Sequence, residues 1–348
     1  MANDPAQPER TGEPTEEPKD PAEKPKDPTE EPKDPTELPA RSWLAVLRRT
    51  GKEFLDDDLP DKAAALTYYG VLSLFPALLV LVSLLGVIGE SATRAVLDNL
   101  RHLTPGPVRD LLDDAVRELQ DNAGPSGVVA VVSLLAAVWS ASSYVAAFIR
   151  TANDVYDLPE GRPVWKLTPL RLALTVTLMV LLAISALIVV FTGPLARRAG
   201  DTIGVGDAAV TTWNIAKWPV LLVLVVLMVA LLFWRAPNVR GPGFRWLSPG
   251  SLLAVLLWLV ASGGFAVYVA NFGSYNKTYG ALGGVVVFLI WLWLSNLAIL
   301  LGLELDAELA RQRAISGGHP EGEEPYVEPR DTRKWPSRLR RRRARPDD

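Results

Sequence analysis

Side chains that commonly carry out catalysis are scarce in this 348-residue chain. Cysteine is absent, which excludes a disulfide, a thiolate metal site and a cysteine nucleophile. The two histidines, His102 and His319, lie far apart, one in a predicted loop and one in a predicted tail. A dense group of acids, Asp56 to Asp58 with Asp61, stands at the start of a predicted helix, which accounts for it. We therefore predict no enzymatic activity, no catalytic residue, no metal ion and no cofactor.

Polar and aromatic residues inside long apolar segments form a second set of candidates. The stretch "AALTYYGVLSLFP" contains Tyr68, Tyr69 and Ser73 and closes on Pro76. Pro76 removes a backbone hydrogen bond and should kink a helix, which leaves a carbonyl group for Ser73, water or a ligand. Within lipid, polar groups usually face protein or a water-filled cavity. The kink is therefore expected either to open a cavity or only to shape helix packing.

Two later segments carry further deep aromatic and polar residues. The first, "VWSASSYVAAFIRTANDVY", contains Trp139 and Tyr144, which lie too deep for an interfacial belt. They either face a cavity, where an indole or phenol finds a hydrogen-bond partner, or simply pack. Trp293 and Asn296 share one face of the last apolar segment, and Trp291 lies beside that face. We predict that all these residues line one cavity: Tyr68, Tyr69, Ser73, Pro76, Trp139, Tyr144, Trp291, Trp293 and Asn296.

Charged residues near the segment ends are candidates for the cytoplasmic mouth of this cavity. One hypothesis is a gate formed by Arg150 with Asp58 or Asp61, and the alternative is that Arg150 only stabilises a helix C-terminus. Glu304 is the one carboxylate within the predicted membrane spans. It can carry a coupling proton if it is buried, whereas a hydrated position near the cytoplasmic end needs no function. The predicted mouth consists of Asp58, Asp61, Arg150, Asn153, Asp154 and Glu304.

Six apolar blocks must position these residues, and each meets the length of about 20 residues that a helix needs to cross a bilayer. The sequence therefore predicts an all-α polytopic membrane protein with six transmembrane helices. Gly280 and Gly284, four residues apart at the last block, predict close helix packing there. The predicted spans are Ala63 to Ile88, Gly127 to Ile149, Leu170 to Phe191, Trp213 to Trp234, Leu247 to Ala270 and Ala281 to Leu305.

The distribution of lysine and arginine predicts the orientation of the bundle. The approach to the first span (residues 41–62), the C-terminal tail and the second and fourth loops together carry 23 of these residues, and the other three loops carry seven. Because basic residues favour the cytoplasmic side, both termini should be cytoplasmic, which agrees with an even number of spans. The long outer loop, Glu90 to Ser126, predicts two amphipathic helices that either cap the bundle or rest on the membrane.

The flanking regions differ from the membrane domain, which we place at residues 63–312. Residues 1–40 are acidic and rich in proline and should be disordered, and residues 41–62 predict a juxtamembrane amphipathic helix on the membrane surface or in solvent. Residues 313–348 are strongly basic and are also expected to be disordered. Anionic lipid is the favoured partner of this basic tail. RNA and the acidic N-terminal tail are the alternatives.

Three stretches resemble the signature regions of the YihY / virulence factor BrkB family of bacterial inner-membrane proteins: "AAALTYYGVLSLFP", "SASSYVAAFIRTANDVY" and "YGALGGVVVFLIWLWLSNLAILLGLELDAEL". The resemblance covers residues 41–312. It implies a six-helix bundle with both termini inside. Members have been linked to serum resistance and to lipid or lipopolysaccharide movement, and many have carried the label ribonuclease BN. Asp306 stands where members often have Asn.

The residues argue against the nuclease label, because a nuclease needs clustered metal-binding acids or a histidine acid–base pair. We predict instead that the protein transports, or assists the transport of, a lipidic or amphipathic envelope component in the bacterial inner membrane. The alternatives are a membrane scaffold that acts through its charged tails and a proton-coupled exporter of a small solute. The expected partners are membrane lipids and a second copy of the chain, with no nucleic acid.

Overall fold

The computed structural model describes the backbone of residues 40–88, 127–190, 207–240, 248–271 and 276–337, and these ranges are helical apart from the connections between helices and residues 317–337. Seven helices lie in this part of the chain. They are α1 (Ala40–Asp56), α2 (Leu59–Ile88), α3 (Gly127–Val155), α4 (Val164–Val190), α5 (Asp207–Arg235), α6 (Pro249–Asn271) and α7 (Asn276–Ser316).

Each of the six predicted spans lies within or overlaps one long helix, α2 to α7; most ends differ by six residues or fewer, and α7 continues eleven residues beyond the predicted end at Leu305. By length and composition, four helical stretches in the described ranges suffice to cross a membrane. These stretches bury few of their side chains inside the protein, and large apolar residues such as Val260 and Ile215 are exposed. A helix that is apolar on all sides belongs in lipid or in a core. The four stretches are Val164–Val189, Val210–Arg235, Pro249–Val269 and Gly283–Ser316.

The centre of the molecule lies where α2, α3 and α7 meet. Phe148 of α3, Leu66 of α2 and Leu300 of α7 are completely or almost completely buried in one apolar cluster. Helix α6 packs along α7, and α4 and α5 extend the bundle from α3. This arrangement gives α7 contacts with α1, α2, α3 and α6, so its polar residues face several different neighbours.

The close helix packing predicted at Gly280 and Gly284 stays a prediction. A side chain at Gly284 would meet open space, and the surroundings of Gly280 are not among those that the structure describes. The observed close approach joins Gly250 of α6 and Gly302 of α7, where a Cβ atom on either glycine would collide with the other's carbonyl oxygen. Asp306 completes this crossing, because its carboxylate accepts hydrogen bonds from the Gly250 N–H group (2.8 Å) and the Ser248 hydroxyl group.

Helix α1 is packed against α7 rather than lying free on a surface. Val46 is fully buried against Leu305 and Leu309 of α7. The Arg49 Nε atom lies 2.6 Å from a carboxylate oxygen of Glu308. The exposed face of α1 still carries Leu44, in agreement with its predicted amphipathic character.

The tail predicted to be disordered from residue 313 is structured as far as residue 337. Helix α7 continues to Ser316, and the chain then returns along the bundle to residue 337, a stretch we call the return segment (residues 317–337). Pro329 pairs with Val239 through an isolated antiparallel bridge, and the indole of buried Trp335 donates to the Pro159 carbonyl at 2.9 Å. Composition favoured disorder because this segment is charged, but a few anchor residues suffice to hold it.

Several predictions fall on residues outside the described ranges. These are the acidic N-terminal tail, the helical hairpin of the outer loop and the arginine run after residue 337. Pro76 lies within the continuous backbone of α2, but its side chain is not among those described, so the predicted kink stays a prediction.

Candidate functional site

A chain of buried hydrogen bonds joins α2, α3 and α7 at the centre of the bundle. The Tyr144 hydroxyl donates to Asn296 Oδ1 at 2.9 Å, and Asn296 Nδ2 donates to the Thr67 hydroxyl at 3.1 Å. Thr67 in turn donates to the Ala63 carbonyl at 2.8 Å. Asn296 and Thr67 are buried. The sequence correctly placed Tyr144 and Asn296 inside the bundle, but here they satisfy each other and join three helices instead of lining open space.

An apolar groove of about 540 Å³ lies beside this chain, between α2 and α7. Its lining includes Thr67, which belongs to the buried chain, and Trp293. The Trp293 indole donates to the Pro60 carbonyl at 3.2 Å, which fixes the ring at one end of the groove. We call this feature the α2–α7 groove and define it by its lining: Ala64, Thr67, Tyr68, Val71, Leu289, Ile290 and Trp293.

Tyr68 and Tyr69 take different positions although they are adjacent. Tyr68 lines the groove and is 62% exposed, whereas Tyr69 packs against the central apolar cluster. Their rings meet edge to face with centroids 5.5 Å apart. Of the predicted cavity residues, the structure thus brings Tyr68 and Trp293 to one groove, with Tyr69 directly behind it.

Three other predicted cavity residues lie away from the groove. Trp139 is 56% exposed, and the Arg171 guanidinium group of α4 lies over its ring at 4.6 Å. The Trp291 indole donates to Ser262 of α6 at 3.1 Å. Ser73 donates to the Gly70 carbonyl of its own helix at 2.7 Å. These side chains serve contacts between or within helices and do not line the groove, and the single cavity predicted for them from the sequence stays a prediction.

At the end of the bundle that carries α1, a small chamber of about 110 Å³ is lined mainly by acids. Glu304 lies in its wall, is 2% exposed, and has one carboxylate oxygen without a hydrogen-bond partner in the described part of the chain. The carboxyl groups come from α1, α7 and three connecting segments. We call this feature the acidic chamber. Its lining is Glu53, Asp57, Val155, Tyr156, Asp157, Glu304, Ala307, Glu308, Arg311, Glu324, Tyr326 and Val327.

The carboxylates of the chamber that lie at the helix ends are partly buried and repel one another, and both effects raise their pKa values. Partial burial of the Asp157 carboxyl, together with the negative charges of Glu324 and Asp57, raises its pKa to about 6. Burial also raises the pKa of Asp57, against the opposing charge of Lys62. A cation bound nearby would stabilise the charged form of these carboxyl groups.

The residues predicted at the cytoplasmic mouth do not form one gate. Arg150 is exposed and, within the described residues, makes no salt bridge with Asp58 or Asp61. Asp154 pairs instead with Lys62 at 3.3 Å. Asp58 takes a positive φ of 52° in the turn between α1 and α2, and Asp61 is exposed on the first turn of α2.

Asn153 has a structural role that the sequence did not indicate. Its Oδ1 atom accepts from the Asn238 N–H group at 2.7 Å, and its Nδ2 atom donates to Glu160 at 2.8 Å. Asn238 is fully buried and exchanges hydrogen bonds with Asp331 of the return segment. Asn153 therefore ties three connecting segments together beside the acidic chamber.

Sequence reasoning singled out Glu304, as a residue of the predicted mouth, but missed the other acids of the chamber that lie outside the group at residues 56–61. Asp57 belonged to the recognised acid group, yet Glu53, Asp157 and Glu324 lie in separate segments that meet only in the fold. Across the described ranges, no three histidine or acidic side chains lie close enough together to hold a metal ion. The acids of the chamber are therefore arranged around a space and not around one point.

The long apolar helices and their lipid-facing surfaces define the class: this is a helical membrane protein. The model of the Virulence factor BrkB family matches residues 50–325, and the chain belongs to that family. The chain is 30% identical over 259 residues to the ribonuclease-like protein YfkH of Bacillus subtilis (strain 168), a match that covers 74% of this chain and 93% of that relative.

Longer membrane proteins are also similar. The UPF0761 membrane proteins of Xanthomonas oryzae pv. oryzae (strain PXO99A) and Xanthomonas campestris pv. campestris (strain B100) are 30% and 29% identical over 273 residues. Those matches cover 75% of this chain and 60% of each relative, so the chain spans about three-fifths of their length. No solved structure matches the chain.

Proposed function

We propose that the protein binds a lipidic or amphipathic component of the cell envelope in the α2–α7 groove and assists its movement through the bilayer. The observation that carries the proposal is the groove itself, which offers about 540 Å³ of space lined almost entirely by apolar side chains. Its polar groups are few: the Thr67 hydroxyl and the Trp293 indole already make hydrogen bonds within the protein, which leaves the Tyr68 hydroxyl for a ligand. Ligand sites of this kind combine an apolar lining with a small number of polar groups that orient the ligand.

The affinity of the groove for an acyl chain must come from its shape and not from hydrophobicity alone. Lipid tails are as apolar as leucine side chains, so moving an acyl chain from bulk lipid into the groove gains little from the hydrophobic effect. A groove whose outline matches a ligand, however, makes more close dispersion contacts with it than a flat helix surface would make. The exposed Tyr68 hydroxyl supplies a hydrogen-bonding group beside such a chain.

The proposal includes the orientation of the protein. We place it in the bacterial inner membrane with six spans, α2 to α7, and with both termini in the cytoplasm. Lysine and arginine are in excess in α1, in the α3–α4 and α5–α6 connections and in the C-terminal region. This excess supports the orientation, because basic residues favour the cytoplasmic side. The acidic chamber and the return segment then face the cytoplasm, and the arginine run after residue 337 contacts anionic lipid.

The name of the Bacillus subtilis relative raises RNA cleavage as an alternative. We propose that this chain is not an enzyme and binds no nucleic acid. Its two histidines, His102 and His319, are far apart in the sequence, and the acids of the described residues are not grouped for metal binding. Cleavage of a labelled RNA by the purified protein, lost when the acids of the chamber are neutralised, would overturn this part of the proposal.

The test is a liposome assay that follows the movement of fluorescent phospholipids between the two leaflets. Ile290→Trp fills the α2–α7 groove with a large ring, and Val260→Trp places the same ring on an exposed face of α6 away from it. We expect Ile290→Trp to slow lipid movement at least fivefold and Val260→Trp to leave it unchanged.

Other outcomes of the assay overturn the proposal. If the wild-type protein moves no lipid, or if both tryptophan variants behave alike, the groove is not a lipid path. Activity in cells that is lost on deletion of residues 1–39 and 338–348, while groove variants stay active, would instead favour a scaffold that acts through its tails. Movement of a small solute driven by a proton gradient, with no lipid movement, would favour the exporter.

A further inference from the structure

We propose that the acidic chamber is a binding site for a small organic cation that carries primary ammonium groups. The site lies at the end of the bundle, formed by the α1–α2 turn, the α3–α4 connection, α7 and the return segment. It is separate from the α2–α7 groove, with which it shares no lining residue. The inference therefore does not depend on lipid transport.

The strongest indication of a ligand is Glu304. The residue is 2% exposed, it lines the chamber, and its Oε2 atom has no hydrogen-bond partner in the described part of the chain. Leaving a buried polar atom unsatisfied costs about 1–3 kcal/mol, and more for a charged group, so such atoms in folded proteins usually have a partner. An ammonium group in the chamber would provide the missing donor.

The balance of charge in the chamber points to a cation. Six carboxyl groups and one guanidinium group line it. Arg311 lies 3.2 Å from Glu308 and 3.3 Å from Glu53, and Arg49 binds the other oxygen of Glu308 at 2.6 Å. These two arginines therefore form ion pairs with only two of the six acids, Glu53 and Glu308. Within the described ranges, four chamber acids form no salt bridge: Asp57, Asp157, Glu304 and Glu324.

The size and shape of the chamber favour an organic cation over a bare metal ion. A space of about 110 Å³ exceeds the room that one water molecule or one dehydrated ion needs. The acids surround this space without converging on a common point, since no three of them in the described chain are placed to hold a metal ion. An ammonium group offers three hydrogen-bond donors that separated carboxylates can share.

The aromatic part of the lining supports the same class of ligand. Tyr156 and Tyr326 both contribute to the chamber walls. The Arg311 guanidinium group already lies over the Tyr326 ring at 4.7 Å, so this wall accepts a cation from within the protein. Aromatic rings beside carboxylates are a recurring arrangement in sites for organic ammonium ions.

The raised pKa of the Asp157 carboxyl, to about 6, makes the binding dependent on pH. The groups around Asp157 are the acids Glu324, Asp57 and Glu53 and the base Arg311. As the pH rises through about 6, Asp157 loses its proton and the negative charge of the chamber increases. A diamine should therefore bind more tightly at pH 8 than at pH 5.

The test is isothermal titration of the full-length protein in nanodiscs with 1,4-diaminobutane dihydrochloride, at constant ionic strength. We expect saturable binding that weakens at least tenfold in Glu304→Gln and in Asp157→Asn. The second variant guards against a folding defect in the first, because Asp157 has a φ of 50° and asparagine adopts this conformation readily. Asp61→Asn, at an exposed acid outside the chamber, is the matched control and should bind like the wild type.

The inference fails if the wild-type protein shows no saturable heat of binding. It also fails if the two chamber variants and Asp61→Asn bind 1,4-diaminobutane equally well, since the interaction would then be with the surface. If sodium or magnesium chloride at the same concentration displaces the diamine completely, the site takes cations in general, and the assignment to organic ammonium is wrong.

Discussion

Gly250 and Gly302 bring the backbones of α6 and α7 into direct contact. A Cβ atom on Gly302 would collide with the Gly250 carbonyl oxygen and lie 2.6 Å from the Ala254 side chain. Backbone atoms cannot rotate away as a flexible side chain can, so the two helices would have to separate. The contact explains why α6 follows α7 so closely, and it makes a clear prediction about stability.

Gly302→Ala should lower the midpoint of thermal unfolding in detergent by several degrees, because overpacking a tight contact costs about 1–3 kcal/mol. Gly284→Ala makes the same chemical change on the same helix, where a side chain would meet open space. This control should be neutral or slightly stabilising, since alanine favours a helix over glycine. Equal effects of the two substitutions would contradict the close α6–α7 contact.

The hydrogen bond between Tyr144 and Asn296 predicts a measurable coupling between α3 and α7. Tyr144→Phe removes the donor, and we expect a loss of about 0.5–2 kcal/mol of stability, the range for hydrogen bonds between membrane helices. Asn296→Leu should cost more, because it removes both the acceptor of the Tyr144 hydroxyl and the donor to Thr67, which keeps only its own bond to the Ala63 carbonyl. In a double-mutant cycle, the two losses should not add.

Tyr68→Phe is the matched control for Tyr144→Phe, since it removes a hydroxyl group from an exposed tyrosine of the neighbouring helix. It should leave the unfolding midpoint unchanged. Strict additivity of Tyr144→Phe and Asn296→Leu would show that the two side chains do not interact as described.

The positions of the long helices could be predicted from the sequence because continuous apolar blocks of this length have few other solutions. The inward or outward direction of a side chain could not be predicted equally well. In water, a polar face marks the outside of a helix, but in lipid both faces are apolar, so periodicity gives no direction. Trp139 and Tyr144 illustrate this: both lie deep in α3, yet Trp139 is exposed and Tyr144 contacts α7.

The acidic chamber was hidden for a different reason. Its residues come from segments that are far apart in the sequence, and one wall is the return segment, whose charged composition predicted disorder. Trp335 was the one signal of an anchor, because a lone tryptophan in a basic tail is often buried. The packing motif of Gly280 and Gly284 stays a prediction, because a side chain at Gly284 meets open space within this chain and the surroundings of Gly280 lie outside the described residues.

Docking of the return segment on the α3–α4 connection should depend on Gly161. A Cβ atom at this position would overlap the backbone carbonyl of Asp331. Gly161→Ala should therefore release the segment and increase the rate of proteolytic cleavage between residues 317 and 337 several-fold, while the helices stay intact. Gly51→Ala, at a site on α1 with no neighbouring atoms, should leave the cleavage rate unchanged. Unchanged cleavage in Gly161→Ala would contradict the docked position.

The raised pKa of Asp157 predicts how the stability changes with pH when no cation is added. Its carboxyl binds a proton more tightly in the folded state, with a pKa of about 6, than at the ordinary value of 3.8. Between these values the folded protein holds more protons than the unfolded chain, so this group's contribution to stability falls as the pH rises toward 6 and stays low above it. Asp157→Asn removes the charge and should therefore raise the unfolding midpoint at pH 8, relative to the wild type, more than at pH 4. A difference between variant and wild type that is the same at both pH values would contradict the crowding of Asp157 by Glu324 and Asp57.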